Sequence, residues 1–288
     1  MTRLIDFIFD GVALGALYAL FAAGLSLIFG VMRLVNLAHG DLIVVAAYLI
    51  LVVAERLGVS VFVALAIAAP LMFVVGYALQ IGLLNRVLGA DILPPLLVTF
   101  GLSIMLQNGA LALFSADSRR LPTNGLESAS ITLGPFVIGV MPLMTLAAAI
   151  VVIFALNRLF YGTAIGRAFR AVSDDPTTAQ LMGVSNTRIF AIAMGLALGV
   201  CAIAALFLGA RANFDPTIGP GRLIFAFEAV IIGGLGSLWG TLAGGVVLGI
   251  AQTIGAALSP EWQILAGHLA FLAVLVVRPR GFFPRAHD

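Results

Sequence analysis

From Gly11 to Gly30 this chain carries no charged residue, and long apolar runs recur along its whole length. Further runs occupy Leu42–Ala54, Val59–Leu84, Ile92–Phe114, Phe136–Phe160, Ile189–Ala210, Ala226–Leu258 and Gln263–Val277. A helix that crosses a bilayer needs about 20 apolar residues. Backbone polar groups inside lipid must bond to one another, which helices accomplish within a single segment. The pattern predicts an all-α polytopic membrane protein of about eight to ten transmembrane segments, some of them short or broken. Composition agrees: 62% of residues are hydrophobic and 10% charged, against about 45–50% and about 25% in soluble domains. No segment is polar and long enough to be a separate soluble domain, so residues 1–288 read as one transmembrane domain. The first run has no small-residue cleavage site and reads as an uncleaved span.

Two runs are irregular. Leu42–Ala54 is too short to cross a bilayer straight, and Ala226–Leu258 is too long for one span. Gly233, Gly234 and Gly236 break the second. Short or glycine-interrupted hydrophobic segments point to the substrate path of a transporter.

All 15 basic residues are Arg, and the net charge of +2 carries no signal for nucleic acid. Their positions set the orientation, because cytoplasmic loops are enriched in Lys and Arg. Arg158, Arg167, Arg170 and Arg188 place the polar island 157–188 inside, and Arg278, Arg280 and Arg285 place the C-terminus inside. Ser115–Leu133, with only Arg119 and Arg120, is expected outside. The chain must then cross an even number of times between island and tail. Splitting Ala226–Leu258 into two segments satisfies this.

Within the island, Arg167–Val172 reads as a short helix. Asp174, Asp175 and Pro176 signal the start of another over Thr177–Met182, with Asp175 as its cap. Gly183 suits the left-handed residue that ends it, and Ser185 reads as the cap of the next span. Such an elbow is either a docking surface or a well-capped surface loop.

A few polar residues lie inside the spans. Asn36, His39, Gly40 and Asp41 precede the short run, where a helix beginning in the membrane offers its positive N-terminal end to an anion. Asp41 either faces the path or caps that helix; His39 either faces the path or is a hydrogen-bonded structural residue. Gln107, Asn108 and Glu228 are costly in lipid and so are expected to face a cavity or a partner. His268 reads as a packing residue, as does the lone Cys201. No metal site is indicated.

GRAFRAVSDDPTTAQLMGV at Gly166–Val184 resembles the cytoplasmic coupling loop of permeases in the branched-chain amino acid ABC importer family. ALYALFAAGLSLIFGVMRLVNLAHGDL at Ala16–Leu42 resembles that family's N-terminal signature, centred on Asn36–Gly40. AVIIGGLGSLWGTLAGGVVLG at Ala229–Gly249 and RPRGFF at Arg278–Phe283 are similar to its C-terminal signatures. The compact N-terminus is more like the LivH-type permease than the larger LivM type. The resemblance implies the ABC importer permease fold and a bacterial inner-membrane subunit moving branched-chain or other hydrophobic amino acids by alternating access. It implies four kinds of partner: a second permease subunit, two ABC ATPase subunits, a periplasmic substrate-binding protein and the bilayer. ATP and Mg are used by the ATPase subunits; this chain has no phosphate loop and is not itself an enzyme. Gly166, Arg167, Arg170, Asp174, Asp175, Pro176 and Gly183 are the residues it implies for coupling.

Other classes stay open at this point. The same fold could import urea, a short amide or a sugar. A simple channel would not need the coupling loop. An intramembrane serine hydrolase would need a buried serine paired with a histidine, and Ser26, Ser103 and Ser237 are the available serines near glycine-rich turns.

Overall fold

The computed structural model describes residues 2–89, 91–133 and 136–283. The helices are α1 (Thr2–Met32), α2 (His39–Leu57), α3 (Val61–Gly82), α4 (Leu93–Phe114), α5 (Val140–Gly162), α6 (Ala164–Asp174), α7 (Pro176–Leu181), α8 (Asn186–Arg211), α9 (Gly219–Gly233), α10 (Leu238–Leu258) and α11 (Trp262–Val277). Six of these, α1, α3, α4, α5, α8 and α10, are long and apolar enough to cross a membrane.

The bundle is built around α1. Its apolar stretch is 89% buried, whereas that of α4 is 17% buried. The stretches of α3 and α5 are as apolar as that of α1 yet only 28% and 33% buried, so burial and not hydropathy separates the centre from the rim. Close approach supplies the packing. A methyl group on Gly15 would overlap the backbone of Gly245, and one on Gly249 would overlap Gly11 and Gly15. Small residues let helix backbones touch in lipid, where there is no hydrophobic drive between helices. α8 flanks α1 and is nearly as buried, at 72% of its apolar stretch. α3, α4, α5 and α10 present exposed Leu, Ile, Val and Phe outward.

Three expectations need correction. The short run Leu42–Ala54 is part of a 19-residue helix, α2. Hydropathy stops at polar residues, but the helical hydrogen-bond ladder continues through His39–Asp41 and Glu55–Leu57. The span expected from Phe136 begins instead at Val140, because Phe136–Gly139 pairs antiparallel with Ser130–Leu133 as the hairpin β1–β2. Ile131 faces Ile138 and Thr132 faces Val137, and β-branched residues suit the pleat. Ser185 holds the cap position of α8 but makes no side-chain cap bond; its hydroxyl lies 3.1 Å from that of Thr187.

The break in Ala226–Leu258 is present. α9 ends at Gly233, α10 starts at Leu238, and Gly234 and Gly236 take φ of 102° and 78°. Ser237 caps α10 by accepting from the Gly240 N–H at 3.1 Å. The last carbonyls of α9 would otherwise lack partners, as at any helix end. The C-terminal tail supplies two: the Phe282 N–H donates to Ile232 O at 2.9 Å and the Phe283 N–H to Gly233 O at 3.0 Å. Phe283 also lines a cavity of about 340 Å³ with Phe160 and Tyr161 of α5. Tail, helix break and the start of the island therefore share one face of the bundle. From island to tail the chain runs through four helices, α8 to α11.

Candidate functional site

The centre of the site is the start of α2. α1 ends at Met32, and the chain then folds back beside it through Leu34–Ala38 before α2 begins. The His39 Nε2–H donates to the carbonyl oxygen of Phe21 at 2.8 Å. Phe21 lies roughly 14 Å along α1 from Gly30, at about 1.5 Å per residue. α2 thus starts within the bundle and not at its surface. Asn36 makes the local turn: its Oδ1 accepts from the Ala38 N–H at 3.0 Å, and its backbone carbonyl accepts from the His39 N–H at 3.2 Å. His39 is fully buried, with the Cys201 sulfur 3.8 Å from Nε2. Its ring is thus hydrogen-bonded within the packed bundle.

A second helix begins at the same place. A methyl group on Gly40 would overlap the carbonyl oxygen of Gly219, and one on Gly219 would overlap the Asp41 carboxylate. The N-termini of α2 and α9 therefore meet at Asp41. Each helix N-terminus carries about half a positive charge, so the junction favours an anion. Asp41 does not cap α2; Ala38 holds that position without a side-chain bond. Instead Asp41 Oδ2 accepts from Ser103 Oγ at 2.5 Å, and Ser103 Oγ accepts from Gln107 Nε2 at 3.0 Å. Asp41 Oδ1 and Asn36 Nδ2 are buried without a hydrogen-bond partner.

α4 answers with a polar stripe. Thr99, Ser103 and Gln107 are spaced by four residues and so lie on one helix face. Thr99 Oγ1 accepts from the Leu37 N–H at 3.2 Å. Sequence reading singled out Gln107 but missed Thr99 and Ser103 as its companions. Their spacing was the available signal. Asn108 does not join them. Its Nδ2 donates to the Ile104 carbonyl of its own helix on an exposed face.

Glu228 lies apart from Asp41, and its carboxylate pairs with His268 Nδ1 between α9 and α11. His268 is therefore not an isolated packing residue. Its ring also stacks on Phe225, and Phe225 stacks on Tyr18 with centroids 4.9 Å apart. Tyr18 Oη donates to Gln252 Oε1 at 2.6 Å, joining α1 to α10. Polar residues thus bridge α1, α9, α10 and α11, while Glu228 Oε2 is buried and unpaired.

The island is an ordered elbow. Thr163 caps α6, accepting from the Gly166 N–H at 3.1 Å. Gly166 packs where a methyl group would overlap the carbonyls of Leu159 and Phe160. Asp175 caps α7 as expected. Its Oδ1 accepts from the N–H of Thr177 at 2.9 Å and of Thr178 at 3.1 Å, and Oδ2 accepts from the Thr178 hydroxyl. These bonds hold its carboxyl below the usual carboxylate range, the Thr178 hydroxyl contributing most. Pro176 takes the first turn of α7, and Gly183 ends the elbow at φ 86°. Arg167 and Asp174 are exposed. Arg170 turns back instead, donating to the Phe160 carbonyl and covering the Tyr161 ring at 5.2 Å. It braces the elbow and does not face outward. Ser173 fastens the elbow to the bundle centre through a 2.8 Å bond to Gly30 O of α1. Leu181 and Met182 stand out at 83% and 80% exposure.

Comparison with known proteins bears on this arrangement. The family described as "Branched-chain amino acid transport system / permease component" matches residues 7–277. The high-affinity branched-chain amino acid transport system permease protein BraD of Pseudomonas aeruginosa is 27% identical, over 96% of this chain and 94% of that protein. The corresponding LivH of Escherichia coli K12 is 29% identical, again over 96% and 94%. The fructose import permease protein FrcC of Rhizobium meliloti is 35% identical over a shorter stretch, 43% of this chain and 36% of that protein.

Proposed function

This chain belongs to the family of branched-chain amino acid transport system permease components, with LivH-type relatives across nearly its whole length, and from that premise we propose that it imports branched-chain or other hydrophobic amino acids. The cargo moves from periplasm to cytoplasm across the bacterial inner membrane by alternating access, driven by ATP. The island and C-terminus are cytoplasmic. A second permease subunit completes the pore, two ABC ATPase subunits use ATP and Mg, and a periplasmic binding protein delivers the cargo. The chain itself holds no cofactor.

One observation carries the reading: the α6–α7 elbow is an ordered lever with one end free and the other fastened. Leu181 and Met182 form an exposed apolar tip, which suits a groove on an ATPase. Ser173 and Arg170 tie the other end to α1 and α5. Motion of the tip is thereby passed to α1, the helix against which α2 starts. The Asp41 junction supplies polar groups at depth: two helix N-termini and a carboxylate with one unpaired oxygen.

Uptake of labelled leucine, urea and fructose into proteoliposomes tests the cargo, with the chain assembled with its partner subunits. ATP-dependent leucine uptake that requires this subunit supports the reading. Urea uptake alone keeps the architecture and discards the amino acid. Fructose uptake alone would favour the sugar reading, which the match to a fructose import permease motivates.

A further inference from the structure

α5 and α8 carry a second polar cavity at the end of the bundle away from the elbow. α5 starts at Val140 and runs down to α6, and α8 runs from α7 up to Arg211. Between the start of one and the end of the other lies a cavity of about 230 Å³. Its walls divide by chemistry. Met141, Pro142 and Phe207 are apolar, Arg120 and Arg211 are cationic, and Glu127 is anionic.

These charges are not joined to one another in ion pairs. Among the described residues the ion pairs are Arg119–Asp117 and His268–Glu228, and none joins Glu127 to Arg120 or Arg211. Arg120 is held in place by donating to the carbonyl oxygen of Ala210 at 3.1 Å. The start of the loop that carries Arg120 is itself fixed on the end of α8 and on the segment that follows it. Arg119 and Phe214 exchange backbone hydrogen bonds at 2.8 Å, and the Leu121 N–H donates to Gly209 O at 3.0 Å. Opposite charges are thus presented around one small cavity, with Arg120 and Arg211 on anchored backbone. Pockets for drug-sized ligands span about 300–1,000 Å³, so this one takes a smaller solute.

We propose that this cavity is an entry subsite for the zwitterion of a small hydrophobic amino acid. Arg211 and Arg120 take the carboxylate, Glu127 takes the ammonium, and Met141, Pro142 and Phe207 receive the side chain. The proposal rests on the importer reading only for the side from which solute arrives. It is distinct from the Asp41 junction, which lies within the bundle.

The test is equilibrium binding of labelled leucine to the assembled permease–ATPase complex without binding protein, beside leucine uptake by the complete system. Glu127→Gln and Arg211→Gln are compared with wild type after size-exclusion chromatography confirms assembly. Leucinamide, which lacks the carboxylate, and 4-methylpentanoate, which lacks the ammonium, serve as competitors. The proposal expects leucine binding about tenfold weaker in each variant, as for loss of one charge-assisted bond. It also expects a raised KM for uptake with little change in kcat, and no competition from either analogue. Leucine binding that both variants retain, or no leucine binding by wild type, overturns the subsite even if uptake is normal. If the wild-type system takes up no amino acid, the importer reading fails; variant-sensitive leucine binding would then still support the cavity.

Discussion

The Phe282 N–H donates to the carbonyl oxygen of Ile232 at 2.9 Å, so the C-terminal tail finishes a helix that stops fifty residues earlier in the chain. With the neighbouring bond from Phe283 to Gly233, it satisfies carbonyls that the turn through Gly234–Ser237 leaves open. Irregular backbone in a membrane protein survives where protein satisfies it. Removing residues 279–288 should therefore destabilise the α9–α10 turn by about 1–3 kcal/mol for each stranded buried group. Thermal unfolding of the truncated chain in detergent checks this. An unchanged midpoint would show that the tail is dispensable.

The Ser173–Gly30 bond makes another prediction. Ser173→Ala removes one side-chain bond worth about 1 kcal/mol, without leaving a bulky gap. If that bond transmits motion from the elbow to α1, ATP hydrolysed per leucine moved should rise, by at most about fivefold. Assembly and insertion should be unaffected. An unchanged ratio would mean that the elbow acts through α5 alone.

The junction of α2 and α9 predicts that Gly40→Ala and Gly219→Ala are both poorly tolerated. Each added methyl meets fixed backbone or the Asp41 carboxylate. Overpacking of this kind costs about 1–3 kcal/mol. Gly101→Ala, where the space beside the helix is open, is the control and should be neutral. Equal stability of all three in thermal unfolding would contradict the close approach.

Glu228 and His268 predict a double-mutant signature. His268→Leu strands a buried carboxylate and should lower stability by about 1–3 kcal/mol. Glu228→Leu combined with His268→Leu removes both partners and should recover most of that loss, because apolar replacement of a buried pair is often near neutral. Additive losses in the unfolding midpoint would show that the two side chains do not interact.

The α7 cap predicts a pH dependence. Asp175 is held below the usual carboxylate range in the folded elbow, so its contribution is fully present above the unfolded value of about 3.9. It is lost as pH falls through the lower folded value. Amide exchange at Thr178–Leu181, corrected for intrinsic rate, should lose protection as the pH drops from about 5 to about 2. Asp175→Asn should make that profile flat. A flat profile in the wild type would contradict the cap.

Much of this architecture is legible in the residues. The elbow is local chemistry: Asp175, Pro176 and Gly183 each act through their immediate neighbours, so their spacing is enough. The split in Ala226–Leu258 is legible from glycine and charge bias together. The Asp41 site is not. Hydropathy shows a short run after Asp41, yet nothing local shows that α9 begins against it or that Ser103 donates to it across the bundle. The contact of Arg170 with the Tyr161 ring is not legible either, because it depends on how α6 folds back on the end of α5. His268 looked isolated because its partner is far away in sequence.

The account stands or falls on whether the elbow drives transport. ATP hydrolysis and leucine uptake should be measured together in proteoliposomes carrying the complete complex, with wild type or with Leu181→Asp and Met182→Asp combined. The account predicts that the wild type couples leucine uptake to stimulated hydrolysis, and that the variant inserts and assembles but loses both. Normal leucine-stimulated hydrolysis and uptake in the assembled variant would contradict it.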